Sequence, residues 1–118
     1  MLVESLYTDR GDVQVVNVRN AGAIPNVDSD AVVEVACRIS ASGAEPLPVD
    51  PLAPEMLGLV EQVKAYERLT VAAAISGDRD LALKALMANP LSSDYRVAVP
   101  LLDALLEGNR EHLPRFFS

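Results

Sequence analysis

At 118 residues the chain fits one compact domain, and half of its residues are hydrophobic, enough to bury a core. A formal charge of −7 with only 4% aromatic residues argues against a nucleic-acid partner, because neither phosphate-neutralising cations nor base-stacking rings are plentiful. The single cysteine allows no internal disulfide, Glu4 and Asp9 stand where an export signal wants cations, and no apolar run approaches the ~20 residues of a membrane span, so the expectation is an ordered cytoplasmic protein that is neither exported nor membrane-bound.

The first pattern along the chain is extended. Val13, Val15, Val16 and Val18 form a β-branched run bounded by Gly11 and Asn20-Ala21-Gly22, which predicts a strand. Ala31 to Ile39 predicts a second strand, in which Glu34 should point opposite to Val33 and Val35, to solvent or a salt bridge or against another domain. Ser40-Ala41-Ser42-Gly43 reads as a turn, and Ala44 to Val49 as a short edge strand, since Pro46 and Pro48 cannot donate to a ladder.

The proline-rich PLPVDPLAP marks a change of character. From about Pro54 to Ser76 the pattern is helical, with Met56, Leu59, Val60, Val63, Tyr66, Thr70 and Ala73 at three- and four-residue steps along one face that should be buried. Gly77 stops this helix, and Asp78 is suited to cap a second one carrying Leu81, Ala82, Ala85 and Leu86, which Asn89-Pro90 ends. Ser92 or Ser93 is the expected cap of a third helix, with Val97, Ala98, Leu101, Leu102, Leu105 and Leu106 inward and Pro100 either kinking it or marking its first turn. The predicted architecture is a single α+β domain over 1–118: a strand-rich half at 12–49, forming a small antiparallel sheet packed with about three helices, and a helical half at 54–117.

Few residues invite chemistry. Cys37 sits within an apolar strand and His112 near the C-terminus, at unrelated positions, so they read as a buried small side chain and a helix-end residue, not as a ligand pair. Asp28 and Asp30 read as turn residues, and Asp78 and Asp80 as a capped first helical turn. Lys64, Glu61, Glu67 and Arg68 read as a solvated helix face. The remaining candidates are Asn20, Gly22 and Asn26 in NVRNAGAIPN. Turn geometry accounts for all three, and a rim touching a bound polar ligand is the alternative, since glycine permits close approach and asparagine offers both donor and acceptor. No glycine-rich phosphate loop joins a strand to a helix.

The ordered segments NVRNAGAIPN, DAVVEV, PLPV, QVKAYERL, GDRDLALKAL and NPL, spread from about Asp12 to Phe117, resemble the C-terminal part of the family-four glycoside hydrolases, the NAD- and metal-dependent 6-phosphoglycosidases. DAVVEV, PLPV and VKAYERL look more like the 6-phospho-β-glucosidase branch than the α branches; CRIS after VEV and Pro100 depart from the family pattern.

The resemblance implies the last portion of an α+β substrate domain of lactate/malate dehydrogenase type, behind an NAD-binding Rossmann domain that is absent here. It also implies NAD and a divalent metal such as manganese in the full-length enzyme, a phosphorylated sugar substrate, the rest of the parent enzyme as partner, and a homo-oligomer. In that chemistry NAD takes hydride from C3, the C2 proton is removed with help from metal and a tyrosine, the aglycone is eliminated, and water addition with return of the hydride completes hydrolysis. Tyr7, Tyr66 and Tyr95 match no motif for that tyrosine. No catalytic, cofactor-binding or metal residue carries over to this chain, which should bind none of these cofactors alone and be inactive. A free-standing noncatalytic oligomerisation or interaction module of the same fold is the alternative.

Overall fold

A computed structural model of the protein describes every residue except Ser93. The fold is α+β and divides into two compact units, Met1–Leu57 and Gly58–Ser118.

The first unit opens with a helix the sequence pattern did not announce. α1 (Leu2–Thr8) is only seven residues long and ends at Asp9 in the left-handed conformation, φ 52°. Its apolar positions are too few to show a period, and it is held by tertiary contacts: Ser5 is fully buried, and Asp9 Oδ1 accepts from the Ala41 amide at 2.9 Å. Strands β1 (Val13–Arg19), β2 (Val32–Ser40) and β3 (Gly43–Pro46) follow in antiparallel order β1-β2-β3.

The register pairs Val13 with Arg38 and Arg19 with Val32. At the start of β1, Ile39 is opposed by two residues, its carbonyl accepting from Gly11 and its amide donating to Asp12. This is a bulge, with Gly11 at φ 68° supplying the conformation it requires. Alternation places Val33, Val35, Cys37 and Ile39 on one buried face of β2 and exposes Val32, Glu34 and Arg38 on the other. Burying each of the larger aliphatic side chains contributes about 1.5–3 kcal/mol. The predicted turn lies between Ser40 and Gly43, and β3 runs 43–46, not 44–49, although the Leu47 amide still reaches the Ala36 carbonyl at 2.9 Å. Pro48 then ends donation to the ladder.

The second unit is helical. α2 (Pro54–Ser76) begins at the end of the first unit and continues through the second. Only Ala73 of its expected inner face is fully buried; Val60, Val63 and Tyr66 are half-buried, while Met56, Leu59 and Thr70 are exposed. Three- and four-residue spacing identifies an apolar face, but not what covers it.

α3 (Arg79–Ala88) starts at Asp78, whose carboxylate accepts from the amides of Asp80 and Leu81 at 2.8 and 3.0 Å. α4 (Tyr95–Gly108) starts at Asp94, not at Ser92: Asp94 accepts from the Arg96 amide at 2.9 Å, and Ser92 instead donates to the Leu86 carbonyl at 2.7 Å, closing the end of α3. A carboxylate is as good a cap as a hydroxyl and suits the positive end of the helix dipole. Ser93, the other proposed cap, lies outside the described residues. Pro100 stands inside α4 on its exposed side. Ala98, Leu102 and Leu106, at four-residue steps, are the buried stripe, whereas Val97 and Leu105 face outward.

Two short 3-10 turns, Arg110–His112 and Pro114–Phe116, bring the C-terminus back onto α2. Arg115 donates to the Ile75 carbonyl at 2.5 Å, satisfying an end group of that helix. Gly77, at φ 75°, permits the approach: a β-carbon there would lie 2.1 Å from the Arg115 carbonyl oxygen. An apolar recess of about 250 Å³ remains in this unit, lined by Tyr66, Ala73, Ala85, Leu102, Leu106 and Phe116 among others. No helix among the described residues is long and apolar enough to cross a membrane.

Candidate functional site

The sequence candidates Asn20, Gly22 and Asn26 all fall on the connection between β1 and β2, residues 20–31. Asn20 is its hub. The side chain is 1% exposed, its Oδ1 accepts from the Ile24 amide at 2.8 Å, and its Nδ2 donates to the carbonyls of Val27 and Ile24 at 2.8 and 3.0 Å. Its own amide donates to the Ala31 carbonyl at 2.8 Å, extending the ladder one step past β1. Each polar atom of the amide side chain is therefore engaged within the loop, as a buried amide requires. Ile24, Val27 and Ala31 bury themselves around it.

Ala21 and Gly22 turn the chain with φ 44° and 92°. Gly22 is exposed, and nothing lies within 4 Å of where a side chain would begin, so this backbone is open to approach. Asn26 does something different. Its amide group exchanges two hydrogen bonds with the backbone of Leu52, at 2.8 and 2.9 Å, while the Val49 amide donates to the Ala23 carbonyl at 2.9 Å. The loop is thus fastened to the proline-rich segment after β3, and the PLPVDPL backbone obtains partners that a proline-broken strand could not provide. Asp28 Oδ1 accepts from the Asp30 amide, and Asp30 pairs with Arg19.

A polar cluster that the sequence reading missed lies at the entry to β1. Gln14 donates to Ser5 Oγ at 2.8 Å and to Asp12 Oδ2 at 3.0 Å, and Ser5 Oγ lies 3.1 Å from the same Asp12 oxygen. Hydrogen bonds from Gln14 first, then Ser5, hold the Asp12 carboxyl below its ordinary range. Asp12 Oδ1 is buried with no partner among the described residues. Ser5 lies on α1, which is too short to show a period in the sequence. An aspartate held below its ordinary range is a weak base for the Ser5 hydroxyl, and the three side chains brace α1 against β1.

Neither Cys37 nor His112 forms part of a metal donor set. The Cys37 thiol is fully buried and directed at the Val35 carbonyl, 3.6 Å away, whereas His112 is exposed beside Glu111. Among the described residues no three histidine, cysteine, aspartate or glutamate side chains are placed to hold an ion together. Glu34 is exposed opposite Asn17. Tyr7 and Tyr95 are 91% and 61% exposed, and Tyr66 half-buries its ring against the recess. The donors among the described residues do not fit a catalytic metal.

The sequence profile of the family 4 glycosyl hydrolase C-terminal domain matches residues 1–92. The chain belongs to family 4 of the glycosyl hydrolases. It is 41% identical over 117 residues to a probable 6-phospho-β-glucosidase of Bacillus subtilis, covering 99% of this chain and 26% of that protein.

Among solved structures, this family 4 chain resembles the Thermotoga maritima 6-phospho-β-glucosidase with manganese, NAD+ and glucose-6-phosphate (TM-score 0.88, 38% identity, 95% of this chain and 28% of that one). It also resembles a 6-phospho-α-glucosidase from gut microorganisms in complex with NAD and glucose-6-phosphate (TM-score 0.90, 39% identity, 96% and 26%). The family 4 chain therefore spans about a quarter of the length of these relatives, and its fold is that of the corresponding quarter.

Proposed function

We propose that this chain is the C-terminal domain portion of a cytoplasmic 6-phospho-β-glucosidase, which cleaves phosphorylated glucosides by NAD-assisted oxidation and elimination with a divalent metal such as manganese. The observation that carries this reading is the 41% identity across nearly the whole chain to a probable 6-phospho-β-glucosidase of which it spans only about a quarter. The Thermotoga relative, of the same β type, has been seen with manganese, NAD+ and glucose-6-phosphate. A similar match to a 6-phospho-α-glucosidase keeps the α-linked phosphoglucoside as the competing substrate.

In this reading the domain contributes a scaffold, and the cofactor and metal are held by the rest of the parent enzyme. The 20–31 loop is its contribution to the sugar site, with the open backbone at Gly22 on the rim and Asn20 and Asn26 holding the loop's shape. The isolated chain is then inert. Calorimetric titration with NAD and manganese, together with a chromogenic 6-phospho-β-glucoside assay, tests this: no saturable binding and no turnover are expected. Metal-dependent turnover by the 118 residues alone would overturn it.

A further inference from the structure

Residues 45–54, EPLPVDPLAP, are stiff by composition. Proline fixes its own φ near about −65° and holds the residue before it extended. Within this stretch only Val49 and Leu52 are neither proline nor directly before one. These are the two residues that reach the loop at 20–31. The Val49 amide donates to the Ala23 carbonyl at 2.9 Å, and the amide and carbonyl of Leu52 bond the two ends of the Asn26 side chain at 2.9 and 2.8 Å. The stretch is itself tied down on both sides. The Leu47 amide donates to the Ala36 carbonyl of β2 at 2.9 Å, and the Ala53 carbonyl accepts from Met56 and Leu57 at 3.0 and 2.9 Å in the first turn of α2. All of these bonds lie within the first unit.

The turn at 21–23 is suspended between two fixed points. On one side the Ala21 amide donates to the Ser29 carbonyl at 2.9 Å, beside the buried Asn20 side chain; on the other the Ala23 carbonyl is held by Val49. Gly22 lies between them, so a shift of the stiff stretch moves the Gly22 backbone. We propose that residues 45–54 are a positioning splint for the sugar site, in which Pro48 and Pro51 set, through Val49 and Leu52, where that backbone stands. The proposal rests on the reading that the 20–31 loop forms the sugar rim. A flexible stretch could make the same hydrogen bonds, but each binding event would then carry the entropy of ordering it. Prolines remove that cost before the sugar arrives. A loosened rim weakens ground state and transition state alike, so its signature is a raised KM at constant kcat.

The test is the double variant Pro48→Gly, Pro51→Gly. Both prolines are exposed, so their removal opens no hole in the core. In the 118-residue chain, amide exchange followed by NMR should show the Val49 and Leu52 amides exchanging about tenfold or more faster, with the Val35 and Cys37 amides of β2 unchanged. The second measurement uses the Thermotoga maritima 6-phospho-β-glucosidase with its matched quarter replaced by this chain. There the double variant should raise KM for a chromogenic 6-phospho-β-glucoside about two- to tenfold and leave kcat in place, and calorimetric affinity for glucose-6-phosphate should fall by the same factor. Asn26→Ala should reproduce that split. Unchanged exchange at Val49 and Leu52, or a fall in kcat at constant KM, would overturn the splint. Faster exchange with unchanged KM and affinity, while Gly22→Val raises KM, would overturn it and leave the loop at the rim. If Gly22→Val also changes neither KM nor affinity, the loop is not at the sugar, and the reading beneath the proposal falls with it.

Discussion

Asn20 shows how one side chain can replace a run of backbone pairing. Its amide meets the Ile24 amide and carbonyl and the Val27 carbonyl in a site that is 1% exposed, so removing it strands several buried groups together. Asn20→Ala is expected to cost about 1–3 kcal/mol, read as a lower melting temperature, with near-normal kinetics once placed in a folded parent enzyme. A large kinetic defect at unchanged stability would instead put the amide in contact with sugar. Asp12 makes a second prediction at this scale. Because Gln14 and Ser5 depress its folded-state pKa, its stabilising contribution is present above the ordinary aspartate value and is lost as pH falls through the depressed one. Urea melts between neutral pH and about pH 3 should show stability declining with acid, and Asp12→Asn should flatten that decline. Asn20 was legible as a loop residue from its Ala-Gly neighbours; Asp12 was not, because its partner Ser5 sits on a helix too short to show periodicity.

At the level of elements, the end of α2 is the most tightly determined junction. Gly77 adopts φ 75° and lies against the Arg115 backbone, so Gly77→Ala meets both an unfavourable conformation and a carbonyl oxygen at 2.1 Å. A loss of about 1–3 kcal/mol is expected, accompanied by release of the C-terminal turns, which the fluorescence of a probe attached at Ser118 would report. Arg115→Ala removes only the bond to Ile75 and should cost less. Gly77 was predicted as a helix stop from local sequence alone. Its second role was not legible, because the chain segment that crowds it is far away in sequence. The same logic separates the caps: Asp78 is legible because it directly precedes an apolar run, whereas Asp94 stands beside serines that are equally good formers of such caps.

For the molecule as a whole, the match to about a quarter of each relative makes an interchange experiment the informative one. Replacing the matched quarter of the Thermotoga maritima 6-phospho-β-glucosidase with this chain should give an enzyme that hydrolyses a chromogenic 6-phospho-β-glucoside and fails on the α-linked isomer. A folded chimera without that activity would overturn the assignment of this chain to the matched quarter. In the same chimera, Gly22→Val should raise KM several-fold if the loop forms the rim, because a branched side chain would fill a backbone approach that is now open.

Strand alternation, helical spacing and turn residues determined the three strands, the three longer helices and the β2 face that is buried, because each of these is set by neighbours within a few positions. The ordered segments from NVRNAGAIPN to NPL also carried the family. Tertiary structure decided what depends on distant partners: that Asn20 turns inward, that Asn26 clasps Leu52, that α1 forms around Ser5, and that Met56 and Leu59 stay exposed on a face whose spacing predicts burial. Periodicity specifies which side of an element is apolar; only the other elements of the fold determine whether that side is covered.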